Sequence, residues 1–205
     1  MERLAKENIN TSEEYNRKYF ERKKEGVDEF DLERWHLLIK YYKKGKLVDL
    51  GCLDSLVPIL AREKDTQSEI WAIDIAEEAL KDMQSQYPSQ KIFWQRADIY
   101  STKFPSHYFN YAVAGEVIEH LEKPELFIEE TMRILRKKGI LALSTPLKEK
   151  LGEVDAERHL WSFSIKDVRE LLEPYGKVKI TTFPILHIPF TKYHHKNIIA
   201  YVTKN

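Results

Sequence analysis

The sequence predicts an α/β fold built on a parallel sheet, and three observations carry that prediction. Short apolar runs alternate with segments of helical periodicity through most of the chain. The run 46–50 ends at Gly51, where a tight loop and a helix follow. A second run, 69–74, repeats this order and ends on Asp74. Because open α/β sheets bind ligands at the carboxyl ends of their strands, we expect the site there.

The first 42 residues predict an N-terminal helical cap. Thr11 or Ser12 is placed to begin a helix that carries Tyr15 and Tyr19 on one face. A second helix is predicted over 30–42, because its apolar residues recur every three or four positions.

The core, 43–205, continues with alternating elements. We predict strands at 46–50, 69–74, 91–96, 109–114 and 140–144, with helices at 55–62, 76–86 and from Pro124 to a turn at Gly139. A helix over 164–172 then precedes two β-rich runs, 177–183 and 197–203. Crossover helices between parallel strands make a doubly wound, Rossmann-like sheet. We expect one domain spanning 1–205, since 205 residues that are 42% hydrophobic suffice for one packed core.

Composition narrows the class of protein. Lysine plus arginine and aspartate plus glutamate both total 33, so the whole molecule does not strongly attract nucleic acid, and we expect no nucleic-acid partner. The single cysteine, Cys52, excludes an intrachain disulfide and a cysteine zinc cluster. No apolar run approaches the length of a membrane span, and the N-terminus is too charged for a secretory signal. The sequence predicts a soluble, cytoplasmic protein.

The loop after the first strand is typical of nucleotide-like ligands. Gly51 can adopt positive φ, and Asp54 or Ser55 can cap the next helix. Leu53 stands where a dinucleotide fingerprint requires its second glycine, so that fingerprint is incomplete. Asp74 follows Asp49 by 25 residues and is placed to accept hydrogen bonds from the ribose of an adenosine-bearing ligand. The alternative is that Asp74 merely begins the next helix.

Five segments together carry a family resemblance. They are VDLGC at 48–52, AID at 72–74, ADI at 97–99, FNYAVAGEVIEHL at 109–121 and LRKKGILALSTP at 135–146. With its segments in this order, the chain resembles class I S-adenosylmethionine-dependent methyltransferases over roughly residues 40–205. Within that family it is similar to methyltransferases of type 11 and to ubiquinone-pathway O-methyltransferases. The resemblance implies seven strands in the order 3214576 with the last antiparallel, S-adenosylmethionine as cofactor and a small-molecule methyl acceptor.

The resemblance also implies the residues that bind the cofactor. Asp49, Gly51 and Cys52 would flank its methionine part, Asp74 its ribose, Ile75, Asp98 and Ile99 its adenine, and Gly115 and Glu116 its reactive methyl group. Tyr19, with Tyr15, is similar to N-terminal aromatic residues that close over the cofactor in relatives, and core packing is the competing interpretation. Leu53 differs from the residue usual for the family at this loop position, and a leucine can occupy the position if its φ is negative.

Glu116, Glu119 and His120 would share one helical face and could ligate a divalent ion, with His159 completing the set. Similar segments occur in metal-dependent small-RNA 2′-O-methyltransferases and in ubiquinone-pathway enzymes, and also in many relatives without a metal role. We favour no metal, with Glu116 touching the cofactor and the other two bonding to the loop. His120 is then the first candidate for a general base, and His159 the second, because imidazole titrates near neutral pH.

The sequence as a whole predicts O-methylation of a small molecule, such as a quinone precursor, a sugar, or a polysaccharide or lipid intermediate. The alternatives are a metal-dependent RNA 2′-O-methyltransferase and a non-catalytic binding module, the latter motivated by Leu53. The aromatic and histidine-rich stretch 183–195 is expected to line the acceptor pocket, to contact a second copy in a homodimer or to cover the core.

Overall fold

The computed structural model describes residues 1–88, 91–148, 150, 158–184 and 196–205. In these ranges the helices are α1 (Ser12–Glu25), α2 (Glu29–Leu38), α3 (Val57–Lys64), α4 (Glu77–Gln86), α5 (Pro124–Ile134) and α6 (Ile165–Leu172). The strands of the main sheet are β1 (Leu47–Leu50), β2 (Ile70–Asp74), β3 (Ile92–Arg96), β4 (Phe109–Gly115), β5 (Leu135–Pro146), β6 (Gly176–Pro184) and β7 (Lys196–Lys204). Short 3₁₀ turns occur at Ile118–His120 and Glu173–Tyr175.

The seven strands form one mixed sheet in the order β3-β2-β1-β4-β5-β7-β6. Strands β1 to β5 are parallel, whereas β7 runs antiparallel to both β5 and β6. The strand order 3214576 with its antiparallel last strand is therefore confirmed. The order reverses beside β1, where β2 lies on one side and β4 on the other. This reversal opens a crevice above the carboxyl ends of these strands.

Helices cover both faces of the sheet, because alternate strand residues are buried on opposite sides. Leu47 packs with Trp35 of α2 and Val57 of α3 in one apolar cluster. Its neighbour Val48 packs with Phe127 of α5 in the other cluster. Because β1 is buried on both faces, its sequence is a nearly continuous apolar run. Asp49 is the charged residue that interrupts this run.

The N-terminal segment lies across α4 and is held there by polar contacts. The Thr11 hydroxyl accepts the Glu14 N–H, which makes Thr11 the residue that caps α1. The Asn16 side-chain oxygen accepts the N–H groups of Glu78 and Ala79 at 3.1 and 3.2 Å. Since Ala76 cannot cap α4 with its own side chain, Asn16 supplies that cap from another helix.

Several predicted boundaries differ from the structure. The turn predicted at Gly139 is wrong, because Gly139 lies within strand β5. Helix α2 ends at Leu38 rather than at residue 42. Residue 42 lies in the turn that follows, and the Tyr42 hydroxyl donates to the Gly45 carbonyl there. Strand β5 begins at Leu135 rather than at 140, because Leu135 pairs with Phe109 and a register shift absorbs the residues that follow.

The aromatic stretch 183–195 falls mostly outside the described residues. Of the part that is described, Phe183 is buried and stacks on Phe30 with ring centroids 5.0 Å apart. None of the helices within the described ranges has the length and apolar character needed to cross a membrane.

Candidate functional site

The crevice above the strand tips leads into a cavity of about 640 Å³. Ten of the residues predicted from the sequence line it, namely Gly51, Cys52, Asp74, Ile75, Asp98, Ile99, Gly115, Glu116, His120 and His159. Residues of the N-terminal helices, including Tyr15 and Arg34, also line it. Its volume is within the range of small-molecule sites.

The loop after β1 bends in the left-handed region at two positions. Gly51 has φ +73°, and a β-carbon there would lie 2.8 Å from a Val117 methyl carbon, so glycine is required. Leu53 has φ +38°, so the negative φ that would accommodate a leucine at this position is not the one observed. The Leu53 N–H donates to the Asp74 carboxylate at 2.9 Å, and its side chain packs against a cluster that includes Ala79. These two contacts offset the strain of a leucine in this conformation.

Asp74 is held at the tip of β2 by backbone donors. Its two oxygens accept the N–H groups of Ala76 and Leu53 at 2.8 and 2.9 Å. Burial raises the pKa of its carboxyl, and these backbone hydrogen bonds act against that rise. Each oxygen keeps a second acceptor position for a ligand hydroxyl, so beginning α4 and binding a ribose are compatible roles.

Asp49 lies behind the loop and does not line the cavity. It is 1% exposed, and its Oδ2 atom has no hydrogen-bond donor among the described residues. Burial raises the pKa of Asp49 to about 7, and the negative charge of Asp74 adds to the shift. Cys52 is also buried, which raises the pKa of its thiol and leaves it unreactive.

The opposite end of the crevice matches the expected adenine side. Asp98 accepts the Tyr100 N–H at 2.8 Å, and the Ser12 hydroxyl donates to the Ile75 carbonyl at 2.8 Å. Tyr19 is absent from the cavity lining, because its ring is buried between α1 and α4 and its hydroxyl donates to Asp82. Tyr15, one helical turn earlier, is the aromatic residue of α1 that reaches the cavity.

Glu116 lies at the tip of β4 in a left-handed conformation, with φ +57°. Its Oε1 atom accepts the Ser144 hydroxyl at 2.7 Å and the Asn197 amide at 3.0 Å. The same oxygen is 3.7 Å from Arg34 Nη1, and Arg34 also pairs with Asp31 at 2.5 Å. This network holds the Glu116 carboxylate beside Gly115.

Sequence reasoning missed Arg34 and its neighbour Arg22. Arg34 is 6% exposed, and its Nε–H has no acceptor within the described part of the chain. Arg22 pairs with Asp31 at 2.6 Å and with Asp54 at 2.7 Å, and it lines the same cavity. Both guanidinium groups could hold a ligand carboxylate. An arginine directly before buried Trp35 in an apolar helix was the signal that could have revealed Arg34.

Three further polar residues meet beside the cavity. Glu119, His120 and His159 are all buried, and one ligand atom from each lies within 4.8 Å of the others. The His120 and His159 rings are 4.7 Å apart. Ile118–His120 forms a 3₁₀ turn and Glu116 precedes it with positive φ, so the helix on which the predicted shared face depends is not formed. Glu116 belongs instead to the Arg34 network.

Burial sets the protonation of this cluster. Burial and the adjacent His159 lower the pKa of His120 well below its usual value, so its imidazole is neutral at pH 7. Burial and the Glu116 charge raise the pKa of Glu119. The raised pKa favours the protonated form of Glu119, and the neutral imidazole of His120 can accept a proton.

Comparison with known proteins gives a match to one family. The family described as "Methyltransferase domain" matches residues 48–143, which include most of β1, all of β2 to β4 and the 3₁₀ turn at Ile118–His120. This part of the chain is therefore similar to a methyltransferase domain. The sheet order of the chain and the position of its cavity agree with this similarity.

Two curated relatives are similar to this chain over part of their own length. A probable S-adenosylmethionine-dependent methyltransferase of Mycobacterium tuberculosis is 32% identical over 104 residues, which are 49% of this chain and 35% of that protein. The mitochondrial ubiquinone biosynthesis O-methyltransferase of Mus musculus is 31% identical over 102 residues, 42% of this chain and 28% of the relative. The chain thus spans about a third of the length of these relatives.

A solved structure extends the likeness of the fold beyond the matched region. A SAM-dependent methyltransferase from Aquifex aeolicus superposes with a TM-score of 0.68 at 15% identity. The likeness covers 92% of this chain and 98% of the other. At this identity the superposition establishes the shared fold.

Proposed function

We propose that this chain is an S-adenosylmethionine-dependent methyltransferase that methylates an oxygen atom of a small molecule. The observation that carries the proposal is the cavity at the strand tips, which is lined by Asp74 and Asp98 at one side and by Glu116 and His159 at the other. This one cavity therefore offers places for an adenosyl group and for an acceptor. The family match and the named relatives support the choice of cofactor.

The residues fit that cofactor in charge and hydrogen bonding. Asp74 has acceptor positions for two ribose hydroxyls, and Asp98 faces the adenine side. Arg34 and Arg22 can bind the carboxylate of the methionine part of the cofactor. Glu116 can attract the ammonium group of the same methionine part. We include Asp49 and Gly51 in the proposed site as the residues that shape the loop.

The bound cofactor would supply an activated methyl group on a sulfonium. The protein then has to align the acceptor oxygen, exclude water and remove one proton. The neutral His120 can take that proton as the oxygen–carbon bond forms and the carbon–sulfur bond breaks, and His159, which lines the same cavity, is the second candidate for this role. The His120 Nδ1 atom is 3.2 Å from the Arg158 carbonyl, which fixes the orientation of the ring.

A small acceptor suits the site better than a long polymer. The N-terminal helices contribute to the cavity wall, and Phe30 and Trp35 make part of that wall apolar. The net charge of zero gives no general attraction to RNA. A phenolic quinone precursor fits these features, as the mouse relative is named for ubiquinone biosynthesis. Within the proposal the protein works in the cytoplasm.

A turnover screen tests the proposal. Purified protein is incubated with S-adenosylmethionine and with quinols, sugars, lipid-linked sugars and short RNAs, and S-adenosylhomocysteine is measured. We expect release with at least one small hydroxylated acceptor. Release with RNA alone would replace the small-molecule proposal by an RNA 2′-O-methyltransferase. Cofactor binding without turnover on any acceptor would favour a non-catalytic binding module.

A further inference from the structure

We propose that Asn10 is a positioning residue, which fixes the imidazole of His120 in one tautomer and keeps the lone pair of its Nε2 atom available. Asn10 lies in the segment that precedes α1 and lines the cavity. Sequence analysis gave this residue no role. Its significance comes from contacts with two segments that lie 110 and 148 positions later in the chain.

Every hydrogen-bonding group at the end of the Asn10 side chain has a partner. The amide nitrogen donates to the carbonyls of His120 and Arg158 at 3.2 and 3.0 Å. The side-chain oxygen accepts the Tyr15 hydroxyl at 3.1 Å. Because backbone carbonyls can only accept, the amide nitrogen has to be on their side. The Asn10 side chain therefore has a single orientation in this site.

The Arg158 carbonyl connects Asn10 to the ring of His120. This oxygen accepts the Asn10 amide, and it also lies 3.2 Å from His120 Nδ1. A carbonyl oxygen has two lone pairs, so it can accept from both donors at once. Nδ1 then carries the proton, and the lone pair of the neutral His120 ring is on Nε2.

Asn10 holds both ends of this hydrogen bond. One of its N–H groups binds the backbone of His120, and the other binds the carbonyl toward which the His120 ring donates. Tyr15 adds a contact to the ring itself, because the two rings meet edge to face with their centroids 5.9 Å apart. The position of the imidazole therefore depends on the segment before α1 as well as on the 3₁₀ turn that carries it.

The tautomer decides what His120 can do in the site. His120 is buried and lines the cavity. With the proton on Nε2, that atom could only donate, whereas with the proton on Nδ1 it can accept a proton. A general base has to be held in the accepting form within hydrogen-bond reach of the acceptor hydroxyl. This catalytic use rests on the proposed function, but the position of the ring does not.

The nitrogen chemical shifts of the histidine rings test the proposal, because they distinguish a protonated ring nitrogen from an unprotonated one. The full chain is labelled with nitrogen-15 histidine, and the signals of His120 are assigned by their loss in His120→Ala. For the original chain at neutral pH we expect one neutral tautomer of His120, with the proton on Nδ1.

Two variants weaken the contact in different ways. Asn10→Ala deletes the bridging amide, whereas Tyr15→Phe keeps the ring and removes the hydroxyl that orients that amide. We expect Asn10→Ala to lose the single tautomer, and Tyr15→Phe to shift the His120 signals in the same direction by less. Thermal unfolding of each variant verifies that it is folded.

Asn16→Ala is the matched control. It removes an asparagine that ties α1 to α4, and the contacts of Asn16 with Glu78 and Ala79 do not involve His120. The control should therefore keep the His120 shifts of the original chain. The proposal is overturned if Asn10→Ala keeps the single tautomer, or if Asn16→Ala loses it as well.

Kinetics and cofactor binding separate this proposal from the proposed function. On an acceptor identified in the turnover screen, kcat of Asn10→Ala should fall at least about tenfold, with KM for S-adenosylmethionine unchanged. An unchanged kcat would overturn the role of Asn10 in catalysis. The original chain is also titrated with S-adenosylhomocysteine. One tautomer without cofactor binding would remove the methyltransferase and leave the positioning by Asn10, and cofactor binding with two tautomers would do the reverse.

Discussion

At the scale of single residues, the site is marked by two strained positions. Leu53 and Glu116 both have positive φ although neither is glycine, and both line the cavity. Such conformations cost free energy and persist where surrounding contacts over-determine them, which is common at functional sites. Here the contacts are the Leu53 N–H bond to Asp74 and the polar network around Glu116.

Replacing Leu53 tests whether its backbone strain is real. Leu53→Gly and Leu53→Ala both lose the packing against α1 and α4, but only glycine relieves a left-handed backbone. We expect the glycine variant to be more stable than the alanine variant by about 1 kcal/mol in urea unfolding. The opposite order would show that position 53 is not left-handed in solution.

Replacing Asp74 tests the ribose assignment. We expect Asp74→Asn to weaken S-adenosylhomocysteine binding about tenfold or more in calorimetry, because hydrogen bonds to a charged group contribute about 1.5–3 kcal/mol. Glu77→Gln removes an exposed charge nearby, on α4, and should leave the affinity unchanged. Equal affinity in Asp74→Asn and the original chain would show that Asp74 does not bind the ribose.

The sequence could predict residues whose role depends on local order, and it missed those that depend on distant partners. Gly51 and Asp74 were identified because each lies at the end of an apolar run at a strand tip, and Asp98 was identified through the family resemblance. Arg34 was missed because its significance comes from Glu116, which lies 82 positions later in the chain. The positive φ of Leu53 could not be predicted, because its bond to Asp74 is a tertiary contact.

At the scale of elements, the N-terminal helix α1 is coupled to α4 by a cap in trans. Asn16 accepts two N–H groups at the start of α4, and its own helix begins at the Thr11 cap. Sequence analysis named Thr11 and Ser12 as the two candidates for the first cap, because that cap is local. It could not predict Asn16, because four elements, α2, β1, α3 and β2, separate the two helices in the order of the chain.

Asn16→Ala measures this coupling. Removing the cap should cost about 1 kcal/mol and should speed amide hydrogen exchange at Glu78 and Ala79. Glu21→Ala, a change at an exposed position of the same helix, is the control and should affect neither quantity. Unchanged exchange in Asn16→Ala would show that α1 does not cap α4 in solution.

The boundary of a helix or strand could be predicted where the residue pattern of the sequence changes. It was missed where hydrogen bonding to a neighbouring strand sets the boundary. The start of α5 at Pro124 is a local signal and was predicted. The start of β5 at Leu135 depends on pairing with Phe109, which the run of basic residues after Leu135 conceals. The strand order came from the family resemblance, since periodicity carries no information on which strands are neighbours.

At the scale of the whole molecule, the buried acids near the crevice make stability depend on pH. The pKa of Asp49 is raised to about 7, and those of Asp74 and Glu119 are also raised by burial. The folded state therefore holds protons that the unfolded state releases above about pH 4. The contribution of Asp49 is fully present below about pH 4 and is lost as the pH rises through 7.

Unfolding measured across pH tests that linkage. Between pH 5 and 7 the slope from Asp49 is at most about 1.4 kcal/mol per pH unit, with stability falling as pH rises. Asp49→Asn cannot titrate, so its unfolding free energy should fall less steeply over this interval than that of the original chain. Parallel profiles for the two proteins would place the pKa of Asp49 outside this interval.

The central claim is that one crevice, at the point where the strand order reverses, holds the adenosyl cofactor. A crystal structure of the chain with S-adenosylhomocysteine tests it most directly. We predict the ribose against Asp74, the adenine beside Asp98 and the sulfur toward Glu116 and Gly115. A ligand bound elsewhere, or a crevice closed by Leu53 and α1 at saturating ligand, would contradict the account.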